Sequence, residues 1–71
     1  MRFRTQSGSL YVLEDQAVTR LNEEPMNGSG LQVDHWPYER HTPIEIGDPV
    51  IFFLTDDDRY IYTTPVTEIL P

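Results

Sequence analysis

The chain has 71 residues, twelve acidic side chains against five arginines, a formal net charge of −7, and no cysteine. This length accommodates one domain, 1–71, burying only about 60% of its unfolded surface, and without cysteine neither a disulfide framework nor a thiolate metal site can form. The acidic excess repels phosphate backbones and argues against nucleic acid as a partner, while no apolar run nears the roughly 18 residues of a membrane span.

Met1-Arg2-Phe3-Arg4-Thr5 holds no apolar stretch of signal-peptide length, so a cytoplasmic protein with no membrane partner is expected. Seven threonines, five valines and five isoleucines make β-branched residues 17 of 71, and with six prolines they favour short strands separated by turns. Phe3 to Thr5 reads as a first strand, closed by Ser7-Gly8-Ser9, and Leu10 to Leu13 as a second. Glu14-Asp15-Gln16 turns the chain into a third, Ala17 to Leu21, although the turn lacks the Asn-Gly or Asp-Gly signature. A rival reading exists here: Leu10, Leu13, Ala17, Val18 and Leu21 also follow helical spacing, with Ser9 as cap of a helix over 9–24.

The segment 22–30 (NEEPMNGSG) combines charge, proline and glycine and reads as an exposed, mobile loop. Leu31 to Asp34 alternates like a half-buried strand; Pro37 is then expected to stop regular pairing and leave Tyr38 to Pro43 irregular. In Pro43-Ile44-Glu45-Ile46-Gly47-Asp48-Pro49 two isoleucines share one face before a Gly-Asp turn. Pro49 to Leu54 is apolar on both faces, Thr55-Asp56-Asp57-Asp58 is a charged turn, and Arg59 to Thr63 returns as the partner strand. Val66 and Ile69 supply a last short strand, entered by a 3₁₀ turn at Pro65. The fold class expected is mainly β, a small antiparallel barrel or sheet of six to seven short strands, SH3-like, because closure removes exposed edges.

The series Arg2-Phe3-Arg4-Thr5, Ser7-Gly8-Ser9, Tyr11, then Val18 to Asn22, Pro43 to Val50 and Thr63 to Ile69 resembles small proteins encoded by bacteriophages of actinobacteria. The similarity spans nearly the whole chain and departs from that family at Glu14-Asp15-Gln16, where a glycine-containing turn is expected. It implies a phage source and a β-rich fold, so that the cytoplasm expected above is that of the host; the family has no assigned activity, and no functional residue carries over. The absence of lysine agrees with a GC-rich coding context.

Asp34, His35, Glu39 and His41 lie within eight residues, yet their spacing fits neither one helical face nor one strand face, so a solvated loop is preferred to a metal site. The acid run Asp56 to Asp58 lacks the spaced oxygen ligands of a calcium loop. The serines at 7, 9 and 29 stand in no nucleophile context and no glycine pattern cradles phosphate, so no catalytic residue and no cofactor is assigned. What remains is a binding surface. Trp36 and Tyr38 are candidate partner anchors, against the alternative that Trp36 caps the core. Ile51 and Phe53 occupy the second face of the doubly apolar strand and require a cover, which makes a homodimer the expected state. The function expected is a non-enzymatic module acting on a host or phage protein, with a self-associating structural component as the alternative.

Overall fold

A computed structural model of the chain describes residues 1–22, 32–55 and 58–71. Seven strands form: β1 (Arg2–Thr5), β2 (Leu10–Glu14), β3 (Ala17–Asn22), β4 (Gln32–His41), β5 (Ile51–Leu54), β6 (Tyr60–Tyr62) and β7 (Val66–Leu70). They make one antiparallel sheet in the order β6-β5-β4-β3-β2-β1-β7, a meander in which the last strand returns to the first. The fold is mainly β, as the β-branched composition and turn spacing imply. Hydrogen bonding leaves the sheet open, with β6 and β7 as its two ends among the described residues.

The first hairpin closes through a turn in which Gly8 N–H donates to Thr5 O and Thr5 N–H donates to Ser9 O. Gly8 supplies the φ of 91° that this tight return needs. The second hairpin pairs Glu14 with Ala17 across a two-residue loop, so 9–24 is not helical. Asp15 and Gln16 adopt φ of 50° and 62°, the doubly left-handed geometry of a type I′ turn, achieved here without glycine.

Pro37 does not stop the chain, contrary to expectation: β4 runs through it to His41, and Tyr38 to His41 is strand. The reason is which way the missing donor would have pointed. Tyr38 N–H donates to Gln16 O on the β3 side, so the nitrogen of Pro37 faces the β5 side, where its carbonyl accepts from Thr55 N–H at the ladder's end. Pro37 is the changeover at which β4 ceases to pair with β3 and begins to pair with β5. Glu39 is the extra residue of a β-bulge, since Tyr38 and Arg40 oppose the consecutive residues Leu54 and Phe53.

The sheet folds back on itself around a core of Phe3, Tyr11, Leu13, Val18, Tyr38, Val50, Phe52, Leu54 and Val66. Phe52 of β5 is its hub: Phe3 and Tyr11 stack on it with ring centroids at 6.4 Å each, and Tyr38 tilts against it at 5.4 Å. Val50, Phe52 and Leu54 all point inward, as the period of two requires. The strand itself begins at Ile51; Val50 precedes it, held by Thr63, whose hydroxyl accepts from Val50 N–H and donates to Thr64 O.

Two further expectations are corrected. Ile44 packs against the core while Ile46 is 66% exposed, because 43–49 is a loop pinned to the start of β7 by Gly47 N–H to Val66 O and Val66 N–H to Asp48 O. The chain enters β7 by a bend at Thr64, with no 3₁₀ turn, fixed by Gln6 N–H on Pro65 O and Ser7 N–H on the Thr64 hydroxyl. Leu31, all but Asn22 of the expected loop 22–30, and Asp56 and Asp57 lie outside the described residues.

Candidate functional site

Since Phe52 is inside, Ile61 opposite it on β6 is inside too, and the residues flanking both point outward. The outer face of this part of the sheet carries two rows. In one, Arg40 of β4, Phe53 of β5 and Tyr60 of β6 lie side by side; in the other, Ile51 is opposite Tyr62. The Arg40 guanidinium sits over the Phe53 ring, 3.9 Å from its centroid, a cation–π contact that covers part of the ring and holds the arginine flat. Tyr60 and Tyr62 are 59% and 72% exposed, with centroids 6.4 Å apart. Large aromatic side chains left this open, beside a guanidinium already oriented by stacking, form a surface of the composition that dominates protein interfaces.

The four residues nominated as interface from the sequence therefore part company. Ile51 and Phe53 lie together on this outer face, half-buried. Trp36 and Tyr38 point the other way: Tyr38 is a core residue at 8% exposure, and Trp36 packs against the core from the inner face. Both face inward because Trp36 pairs with Val18 and Tyr38 with Leu54, each a buried position. Tyr38 is thereby corrected from anchor to core. Trp36 is covered further by Arg20, whose guanidinium lies 5.2 Å from its ring and donates from both Nε and Nη2 to Asp34 Oδ2, at 3.2 and 2.7 Å. That hydrogen-bonded carboxylate raises the pKa of Arg20 above its ordinary value.

Asp34, His35, Glu39 and His41 are not brought together. Asp34 faces inward onto Arg20, whereas His35 faces outward and shares a 2.9 Å hydrogen bond with the Thr19 hydroxyl. Glu39 is the exposed bulge residue, and His41 lies edge-on to Tyr38 with Nδ1 at 2.6 Å from Thr42 O. Among the described residues no three His, Asp or Glu side chains gather as a metal site would need. Ser7 and Ser9 belong to a hydroxyl chain with Thr5 and Thr64, ending with Ser9 donating to the Asn22 side-chain oxygen, that ties the first turn to the bend at Thr64 and to the end of β3. Ser29 lies outside the described residues.

Away from the aromatic face, the outer surface of β2, β3 and β4 holds an open depression of about 490 Å³, walled by Val12, Ala17 and Leu21 with Glu14, Thr19 and His35 around it.

No family model matches this chain, and neither a curated protein nor a solved structure matches it.

Sequence reasoning missed Tyr60 and Tyr62. The signal was present: once Phe52 is taken as inward, the alternation of Tyr60-Ile61-Tyr62 in the partner strand sends both tyrosines out.

Proposed function

We propose that this chain is a non-enzymatic protein-interaction module of an actinobacterial bacteriophage, working in the host cytoplasm, and that it grips a host or phage protein through the outer face of β5 and β6. The observation that carries this reading is the exposure of Tyr60 and Tyr62 beside Phe53 and its stacked Arg40. Tyrosine and arginine lose little freedom on binding when already held, and such residues supply most of the binding energy of protein interfaces. The chain's net charge of −7 favours a basic partner at long range, while the aromatic patch sets the contact at short range.

The test compares wild-type protein with a Tyr60→Ser, Tyr62→Ser double variant as baits in lysate of an actinobacterium, read by mass spectrometry. A stoichiometric partner held by the wild type and weakened at least tenfold in the variant, with the circular dichroism unchanged, is the expected result. Equal capture by both baits, or no partner, overturns the assignment.

A further inference from the structure

Among the described residues the hydrogen bonds of β6 point to one edge, that of β5, and leave the other open. Thr63 N–H donates to Val50 O and Leu54 N–H donates to Arg59 O, so residues facing each other at 50 and 63, and at 54 and 59, are hydrogen-bonded pairs. Phe52 with Ile61, midway between them, is of the same kind. The intervening Tyr60 and Tyr62 consequently direct both their N–H and C=O groups away from β5, toward the side where the sheet ends. Such an edge is normally blunted by a very short strand, by lysine or proline, by a bulge or by an inward charge. Of these Tyr60-Ile61-Tyr62 has only its three-residue length, which limits the pairing without blocking it.

We infer that a second copy of this chain pairs with this edge, β6 against β6 in antiparallel sense about a two-fold axis at Ile61. The inference rests on β5 and β6 being the interaction face and adds the partner. Three observations select a second copy. First, the edge is self-complementary: with Ile61 on the axis, Tyr60 meets the partner's Tyr62 and Tyr62 meets the partner's Tyr60, so each of the four outward N–H groups finds a carbonyl. Second, the register stacks the exposed rings as cross-strand aromatic pairs on the outer face. Third, charge permits it despite the −7 on each copy: from Arg59 to Thr67 there is no acidic residue, and the register sets Arg59 against Thr63 and Asp58 against Thr64. A two-fold contact also closes on itself, whereas pairing β6 with the opposite edge, β7, would propagate into a filament.

A three-residue strand with its tyrosines buries less than the roughly 800 Å² per partner of stable complexes, so the dimer is weak, with a dissociation constant of about 10 µM to 1 mM. Light scattering on size-exclusion eluates across that range should show the mass rising from 8.3 kDa toward twice that value. The decisive variant is Tyr62→Pro beside Tyr62→Thr. Proline removes an N–H that the β5 ladder does not use, so Tyr62→Pro should stay folded and monomeric, while Tyr62→Thr should dimerise with a constant weakened less than about tenfold. In parallel, hydrogen exchange at the Tyr60 and Tyr62 amides of the wild type should slow at least tenfold as the dimer fills, a readout independent of whether the proline variant folds. A monomer at every concentration overturns the inference but leaves the capture of another protein untouched. A dimer in which those two amides stay unprotected, or which Tyr62→Pro forms as readily as wild type, also overturns it.

Discussion

Gln16 holds a φ of 62° in a turn that normally takes glycine, and an L side chain there costs about 1–2 kcal/mol in backbone strain. Glycine removes that strain and returns part of the gain as unfolded-chain entropy, so Gln16→Gly is expected to stabilise the protein by roughly 0.5–1 kcal/mol. A higher urea midpoint at constant m-value would record it. Gly8 gives the mirror experiment. Its φ is 91° and nothing lies within 4 Å of where a Cβ would stand, so Gly8→Ala should destabilise by about 1 kcal/mol through conformation alone. Phe3 is wholly buried and touches both Tyr11 and Phe52, so Phe3→Ala removes about 3–5 kcal/mol, most of what a chain of this size possesses, and should yield an unfolded circular dichroism spectrum. The hydrogen bond to Asp34 holds the Arg20 guanidinium above its ordinary value in the folded state, so its contribution is complete at any pH below the unfolded value. It would fade only as pH rose through the folded value; near neutrality it adds no titration.

At the level of elements, what could be read from the sequence and what could not divide along the reach of the forces involved. The alternation of Val50, Phe52 and Leu54 against Ile51 and Phe53 was legible because side-chain direction in a strand is a local property, and so was the turn-strand rhythm around Gly8. The fate of Pro37 was not, because it depends on which neighbour β4 faces at that point, a fact fixed by β3 and β5 elsewhere in the chain. The same holds for Tyr38: next to a proline it looked exposed, and the change of partner put it in the core. That Tyr60 and Tyr62 lie on an edge strand follows from the order of the whole sheet, which no local window contains. Since the nitrogen of Pro37 takes no part in the β3 ladder and faces only the end of the β5 ladder at Thr55, Pro37→Ala should cost under about 1 kcal/mol, chiefly through a looser unfolded chain. Denaturant titration decides; a loss of 3 kcal/mol or more would mean that the ring itself is needed at the changeover.

For the molecule as a whole, seven uncompensated negative charges must be held within a small fold, while only two ion pairs, Arg4 with Glu68 and Arg20 with Asp34, are found among the described residues. Screening relieves more repulsion than attraction, because the Debye length falls from about 30 Å at 0.01 M salt to about 8 Å at 0.15 M. The melting temperature is therefore expected to rise by about 2–5 °C over that interval, and a fall would show that attraction within pairs outweighs the general repulsion.

The pairing of β7 with β1 has a consequence in time. Arg2 lies opposite Leu70 and Thr5 opposite Val66, so the partner that completes this side of the sheet is made about sixty residues after the strand it covers. At a synthesis rate of about 5–20 residues per second, the outer edge of β1 waits roughly 3–12 s on the ribosome with its backbone groups unanswered, long after the hairpins β1–β2 and β2–β3 have had microseconds to form. Contacts of such sequence separation also slow spontaneous refolding, toward milliseconds to seconds. During that interval Arg2 and Arg4, which flank Phe3 on the opposite face of the strand, place two like charges along the open edge of every nascent copy. Two unfinished chains meeting there repel each other, and the edge stays available for its own late-arriving strand.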